Sequence, residues 1–512
     1  MTEQRETGAR SATVVTVAIV LSRLVGLIRQ RVAAHYFGTS AVADVIAAAF
    51  RIGNLAQNLL GEGTLSATFI PVYARLRAAG DEAGARAFAR RALGALMLAV
   101  LGLTLAGVLG APWLARVIAG GFEGEKLAFT IEQVRILFPM TGLLVISAWA
   151  LGVLNSHRSF FLPYAAPILW SVAQIAALFV GGMLRFGDRA MGQALAVGAL
   201  IGAAAVAVVL FARARRYTGS VRPSFDFSSP SLREAVGRFP SVLLGRGVIQ
   251  ISGLVDMLLV SFLGDSAVST FNYAQTIYLL PMSILGTGEA AAALPEMAGD
   301  TTGTREERNR RIRERLRGSL TRVMLLAIPA VIVMALSGRE LVVVLFRTGR
   351  FDDDSTARVA SALSVYALAL VGNAAVRLFA TAFFALGDTQ TPARTATARV
   401  LTSTAISLAL MKPLGIAGVV AGATVAAWVE ACLLGIALRR ELDGLGLDAL
   451  PLLKFAVLTL ACGAAAIGGR LVLGNGSSTP LFALLGLATT GLTFVVTAHA
   501  LGLVQLRTLR RS

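Results

Sequence analysis

Residues 21–38, LSRLVGLIRQRVAAHYFG, place Arg23, Arg29 and Arg31 in a run otherwise apolar enough to enter a bilayer. A guanidinium at hydrocarbon depth costs several kcal/mol, so it normally faces a protein interior or a water-filled cavity. At 100° per residue Arg23, Gly26 and Arg29 share one helical row, with the glycine leaving room between the two cations. Arg31 points elsewhere and lies nearer the far end, where it can snorkel. In the next apolar segment Asp44, Arg51, Asn58 and Glu62 project within about 40° of one another, with Asn54 beside them. Three cations, Arg23, Arg29 and Arg51, thus face two acids, Asp44 and Glu62. Ion pairs that merely fix helix packing would leave one buried cation over, which is costly. A water-filled cavity or an anionic ligand accounts for it better. Guanidinium binds phosphate bidentately and stays charged in any pocket, which favours a phosphate-bearing ligand over a carboxylate.

The elements that carry these residues follow from composition. Of 512 residues 56% are hydrophobic and 15% charged, with mean hydropathy +0.72, too few charges to cover a soluble protein of this length. The chain reads as an all-α polytopic membrane protein. Segments long enough to span, about 20 residues each, lie near 12–36, 42–74, 92–118, 131–154, 160–184, 190–212, 239–263, 267–297, 319–345, 357–386, 394–412, 414–438, 452–473 and 479–504, which makes fourteen. Kinks are expected at Gly61, Gly63 and Pro71 and at Pro281. The net charge of +18 would suggest nucleic acid in a soluble protein. Here, with the N-terminus inside, about 30 of the basic residues fall in cytoplasmic segments, as the positive-inside rule requires. Both termini are then cytoplasmic, and no cleaved leader is expected. The basic stretch from Thr304, TREERNRRIRERLRGSLTR, reads as a cytoplasmic amphipathic helix between the eighth and ninth spans, anchored on anionic headgroups.

An internal repeat is visible. FGTSAVAD from Phe37 resembles LGDSAVST from Leu263, and LLGEGTLSATFIP from Leu59 resembles ILGTGEAAAALPE from Ile284. Six helices separate the copies, so both halves enter the membrane in the same orientation. The expected division is a first lobe over 1–215, a second over 216–440, and two appended helices within 441–512. The repeat sets Thr276 opposite Arg51, so the electropositive face belongs to the first lobe. Arg246, Asp256, Arg377 and Thr276 are possible second-lobe contributors. Asp256 with Arg377 or Arg246 reads equally as a structural pair or a coupling-ion site.

No enzyme constellation stands out. His35, His157 and His499 lie far apart, and there is no Walker motif, G-x-S-x-G or H-E-x-x-H. The two cysteines, Cys432 and Cys462, sit in apolar runs and read as small core residues, not a disulfide or metal site. Glycine-rich stretches have helix-packing spacing.

At SRLVGLIR from Ser22 and GTSAVADVIAAAFRIGNLAQNLLGEGTLSATFIPVY from Gly38, the sequence resembles the MurJ (MviN) lipid II flippases of the MOP exporter superfamily. FNYAQTIYLLP from Phe271, VVVLFRTGRFDDDSTA from Val342 and FFALGDTQTPAR from Phe383 continue the resemblance through the twelfth span. It implies a fourteen-helix inner-membrane protein whose two lobes enclose a cationic cavity. The protein would move the undecaprenyl-pyrophosphate-linked peptidoglycan precursor between leaflets by alternating access. The family's first-helix arginines map onto Arg23 and Arg29, beside Ser22, its helix-2 acid onto Asp44, a basic position onto Arg51, an asparagine onto Asn54 and a second acid onto Glu62. The sequence departs from the family at Gln30 and Gln275, where acids are usual, and at Gln57 and Thr276, where arginines are. Arg246 is a candidate replacement for the second.

The resulting expectation is a lipid II flippase with pyrophosphate on Arg23, Arg29 and Arg51, assisted by Ser22 and Asn54. Asp44, Glu62, Asn58 and Gln57 would give polar support, the acids holding the arginines in the empty state. No cofactor or metal is expected beyond an unidentified coupling ion or the membrane potential. Expected partners are lipid II or a related lipid-linked glycan, membrane lipids and cell-wall synthesis machinery, with the chain a monomer and no nucleic acid bound. A flippase for another polyprenyl-pyrophosphate-linked glycan would use the same arginines. A multidrug exporter for cations fits poorly with a net-positive cavity, and a membrane enzyme acting on lipid phosphates lacks a catalytic cluster.

Overall fold

Glycine and proline decide where the predicted spans break. The computed structural model describes residues 2–282, 304–442, 444, 449–473 and 480–503. Among these, every regular element is a helix: α1 (Thr2–Phe37), α2 (Ala41–Leu60), α3 (Glu62–Ala78), α4 (Glu82–Leu109), α5 (Ala111–Ile118), α6 (Gly124–Ser156), α7 (Phe161–Ala165), α8 (Pro167–Met183), α9 (Asp188–Thr218), α10 (Pro230–Ser261), α11 (Ala267–Met282), α12 (Arg305–Leu336), α13 (Gly338–Phe346), α14 (Asp353–Ala385), α15 (Gln390–Leu414), α16 (Ile416–Glu441), α17 (Ala449–Leu473) and α18 (Pro480–Ala500). Each predicted segment contains helix, and eight stretches meet by themselves the length and apolarity needed to cross a membrane. The second segment breaks at Gly61, whose N–H closes on the Gln57 carbonyl. Pro71 is instead carried inside α3 without ending it. Pro112 and Pro167 each stand at the start of a new helix, α5 and α8, where a missing N–H is harmless.

The chain packs as two units, residues 1–266 and 267–512. In the first, Trp149 is fully buried among Phe69, Tyr73 and Phe88, and its indole N–H donates to the Ala89 carbonyl at 2.9 Å. α10, expected to open the second lobe, packs in this unit against α2, α3, α4 and α5. The linker before it is pinned to α4, where Ser224 N–H donates to the Arg90 carbonyl and Arg91 pairs with Asp226 at 2.7 Å, and the first turns of α10 itself are tied to α3 by the pair of Arg75 with Glu234. At its other end the Ser261 hydroxyl accepts the Gly121 N–H.

α8 and α9 pack closely because Gly198 and Gly202, four residues apart, present no side chain. A Cβ on Gly198 would sit 2.6 Å from that of Ala177, and one on Gly202 2.7 Å from the Trp170 Cα. This is the small-residue spacing expected for membrane helices.

In the second unit Ile312, Leu316 and Leu320 pack with Leu378, Phe379, Leu434 and Leu438. These three lie in the basic stretch, which is therefore no separate surface helix. Thr304 opens α12 with a capping box to Glu307, and the helix continues unbroken into its apolar part. With Ile312 and Leu316 almost fully buried, the stretch packs against protein through one face, and headgroup anchoring does not describe it fully. The repeat has a structural counterpart in its first segment. Gly38 and Gly264 both take positive φ (56° and 88°), and a helix begins three residues after each, α2 at Ala41 and α11 at Ala267. The later copy of the second segment, from Ile284, lies outside the described residues. Cys462 is buried as expected, but Cys432 is exposed.

His157, just past α6, stacks on Tyr217 at 4.2 Å and meets the Tyr73 hydroxyl at 3.1 Å. Partial burial and then the positive charge of Arg77 hold its imidazole below the usual value. The folded state therefore favours neutral His157, so this corner is fully stable above about pH 6.5 and loosens as pH falls below it. Amide exchange near 155–159 should speed up between pH 7 and 5, and the His157→Gln protein should lose that dependence. Gly202→Val should overpack α8 against α9 and cost about 1–3 kcal/mol, seen as a lower Tm of the detergent-solubilised protein.

Candidate functional site

The tight α8–α9 contact fixes Trp170 and Gln174, one turn apart on α8. Gln174 donates its amide N–H to the Trp170 carbonyl, leaving its oxygen to accept Arg29 Nη1 at 3.0 Å. The Arg29 guanidinium lies over the Trp170 ring, 4.7 Å from its centroid, and Phe50 of α2 meets the same ring edge-on at 6.1 Å. A stacked, hydrogen-bonded guanidinium is held rigid and partly compensated for its lost hydration. Two donors remain unserved. Arg29 Nε and Trp170 Nε1 are sealed from solvent and have no hydrogen-bond acceptor among the described residues. Buried donors without partners are rare enough to require an explanation. Beside them Gly26 faces open space, with nothing within 4 Å of where its Cβ would be. This matches the gap read from the Arg23–Gly26–Arg29 row. Arg23 is exposed, and Ser22 is half-buried.

Arg51 follows Phe50 directly. Its guanidinium reaches α10, where it occupies the space that a side chain at Gly253 would need. Only glycine allows this approach. Asp256, one turn on along α10 and on the same side, is 8% exposed. Counted from the Gly38–Ser40 turn at 1.5 Å per residue, Arg29 and Arg51 lie at similar depth, about 13 and 16 Å along their helices. Asn54 and Gln57 are half-buried and Asn58 exposed. The side chains of Glu62 and Arg246 lie outside the described residues.

Asp44 has partners at the start of α2. It is fully buried and accepts Lys126 Nζ at 2.7 Å and the Ser266 backbone N–H at 2.8 Å. Lys126 also pairs with Asp265 and lies over the Phe122 ring at 4.2 Å. Asp44 sits two turns from Arg51, in the first turn of α2, so distance along the helix favours an ammonium at that end. Through these contacts it anchors the segment leading into α11. Lys126, Trp170 and Gln174 were missed in the sequence. Trp170 and Gln174 did leave a signal, being polar-tipped residues in the otherwise apolar α8.

In the second unit Thr276 donates its hydroxyl to the Asn272 carbonyl within α11, so it supplies no charge in place of an arginine. Arg399 pairs with Glu430 at 3.0 Å. Arg377 has Arg399 and Tyr278 as electrostatic neighbours. Among the described residues no group of three metal-ligating side chains converges.

The family described as Lipid II flippase MurJ matches residues 33–490. This chain belongs to that family. A probable lipid II flippase MurJ of Rhizobium tropici is 29% identical over 426 residues, 82% of this chain and 79% of that protein. The lipid II flippase MurJ of Burkholderia cenocepacia is 30% identical over 433 residues, 82% of each. Among solved structures, a lipid II flippase MurJ in an inward closed conformation superposes with a TM-score of 0.78 at 19% identity, covering 94% of this chain and 97% of that one. An inward-facing multidrug MATE transporter of the MOP superfamily reaches 0.65 at 19%, covering 85% and 98%. The MurJ fold and its MOP relatives are therefore the architecture here.

Removing Lys126 should leave a buried Asp44 without its ammonium partner. Lys126→Met is expected to cost roughly 3–5 kcal/mol, whereas Asp265→Asn, at an exposed carboxylate, should change stability by under about 1 kcal/mol. Chemical denaturation of the two purified proteins separates these outcomes.

Proposed function

We propose that this MurJ-family protein moves lipid II, the undecaprenyl-pyrophosphate-linked peptidoglycan precursor, from the inner to the outer leaflet of the cytoplasmic membrane. The observation that carries the reading is the pair of sealed donors that find no acceptor among the described residues, Arg29 Nε and Trp170 Nε1, beside the open space at Gly26. A pyrophosphate oxygen is an acceptor of the right charge for both. Arg23 and Arg51 would engage the remaining phosphate oxygens, with Ser22 and Asn54 as neutral donors. Trp170 keeps the Arg29 fork oriented between loads, a task first assigned to the acids.

The cycle would be alternating access across fourteen spans with both termini cytoplasmic, the polyprenyl tail staying in lipid or along α17 and α18. A difference in affinity between the two access states must supply the direction, and a coupling ion or the membrane potential would bias it. The protein would act as a monomeric transporter with no covalent chemistry of its own, handing its cargo to cell-wall synthesis machinery. The cationic excess disfavours export of cationic drugs despite the likeness in fold to MATE transporters.

The test is growth of a bacterium depleted of its own lipid II flippase. The wild-type chain should sustain growth, and Arg29→Ala should abolish it while inserting at the same level. Trp170→Phe, which keeps a ring but removes the indole donor, should slow growth several-fold. A well-inserted wild type that fails to support growth would point to another polyprenyl-pyrophosphate-linked glycan, and growth with both would remove Arg29 from the mechanism.

A further inference from the structure

We infer that the second unit carries its own binding site for a phosphate-type oxyanion, built on Arg377, Arg399, Tyr278 and Asn373. Asn373 and Arg377 are one turn apart on α14, and Tyr366, two turns before Asn373, lies on the same face. Tyr366 stacks on Tyr278 of α11 at 5.0 Å and 26°, which fixes the phenol. Asn373 donates its amide to the Tyr278 oxygen at 2.8 Å. That bond fills an acceptor position on the oxygen and leaves the hydroxyl proton to be given elsewhere, and among the described residues it finds no acceptor. The Arg377 and Arg399 guanidinium groups both lie within electrostatic range of this hydroxyl and of each other.

The cluster is rich in donors and poor in acceptors. Its acid, Glu430, is 5% exposed and already engaged by Arg399. Arg377 makes no ion pair or hydrogen bond from its guanidinium among the described residues, and none of its nitrogens is sealed from solvent. Two cations against one acid, inside a unit of apolar helices, leave one positive charge uncompensated, the same imbalance that marks the first unit. A fork of guanidinium donors with a phenol proton beside it suits an anion with several oxygens, as phosphate and pyrophosphate have. Arg377 is eight residues, about 12 Å, from the α14 end, and Arg399 nine residues, about 14 Å, from the start of α15. Both lie at one depth, inward of the 386–389 connection, as a discrete site requires.

This inference is independent of the flipping reading, because it concerns binding alone. The test is calorimetric titration of inorganic pyrophosphate into the full chain in zwitterionic nanodiscs, in an Arg29→Gln background that weakens the first-unit site. Binding should persist in that background, and adding Arg377→Gln should weaken it at least ten-fold. Tyr278→Phe retains the ring stack but removes the hydroxyl and with it the Asn373 hydrogen bond, and should weaken binding a few-fold, whereas Asn373→Ala, which removes that same hydrogen bond but keeps the phenol, separates the lost fold contact from the lost ligand contact by leaving binding within about two-fold. Undecaprenyl pyrophosphate in the discs identifies the source: if it displaces the inorganic ion, the site takes a lipid headgroup, and if it does not, the site takes the free anion. Loss of all binding in Arg29→Gln alone, or equal binding with and without Arg377→Gln, would overturn the proposal.

Discussion

The desolvation of guanidinium groups is the constraint on which the rest of this structure depends. An apolar helix cannot host Arg29 unless something replaces its water, and the replacements are specific: the Gln174 oxygen on one nitrogen and the Trp170 face beneath the plane. Those two residues are in place only because α9 presses glycines against α8. Arg51 depends similarly on Gly253, since any side chain there would displace the guanidinium. Small residues in this protein thus serve to bring helices close and also to make room for charge.

Much of this could be read from the chain. The helical class, the spans and the gap at Gly26 follow from hydropathy and a 100° periodicity, which are local properties. The start of α11 was foreshadowed by the repeat, because the glycine turn at Gly38 recurs at Gly264 with the same positive φ. What could not be read is which distant residue completes each charge. Asp44 and Arg51 share a stripe, yet Asp44 is engaged by Lys126, 82 residues away, because the first turn of α2 meets the start of α6. A wheel shows which way a side chain points but not the axial level of its partner.

The placement of α10 was obscured for a related reason. The repeat assigns it by sequence symmetry, whereas its packing goes with the Arg90 and Arg91 contacts that fasten the preceding linker to α4 and the Arg75–Glu234 pair that ties α10 to α3. The basic stretch before the ninth span shows the opposite case. Its charge suggests a surface helix, but Ile312, Leu316 and Leu320 recur every four residues and draw it into the core of the second unit. Burial of that apolar row outweighs the pull of the charges toward solvent, because Arg310, Arg315, Arg317 and Arg322 occupy other faces and stay exposed.

The unbroken course of α12 has a mechanical consequence. Its 32 residues extend about 48 Å, well beyond the roughly 30 Å of hydrocarbon in a bilayer. The excess is an arginine-studded extension, helically continuous with an apolar part that carries Pro329 inside it. A tilt of the stretch before Pro329 swings those arginines through the layer of lipid phosphates. The thickness and surface charge of the bilayer thereby become part of the load against which the protein moves.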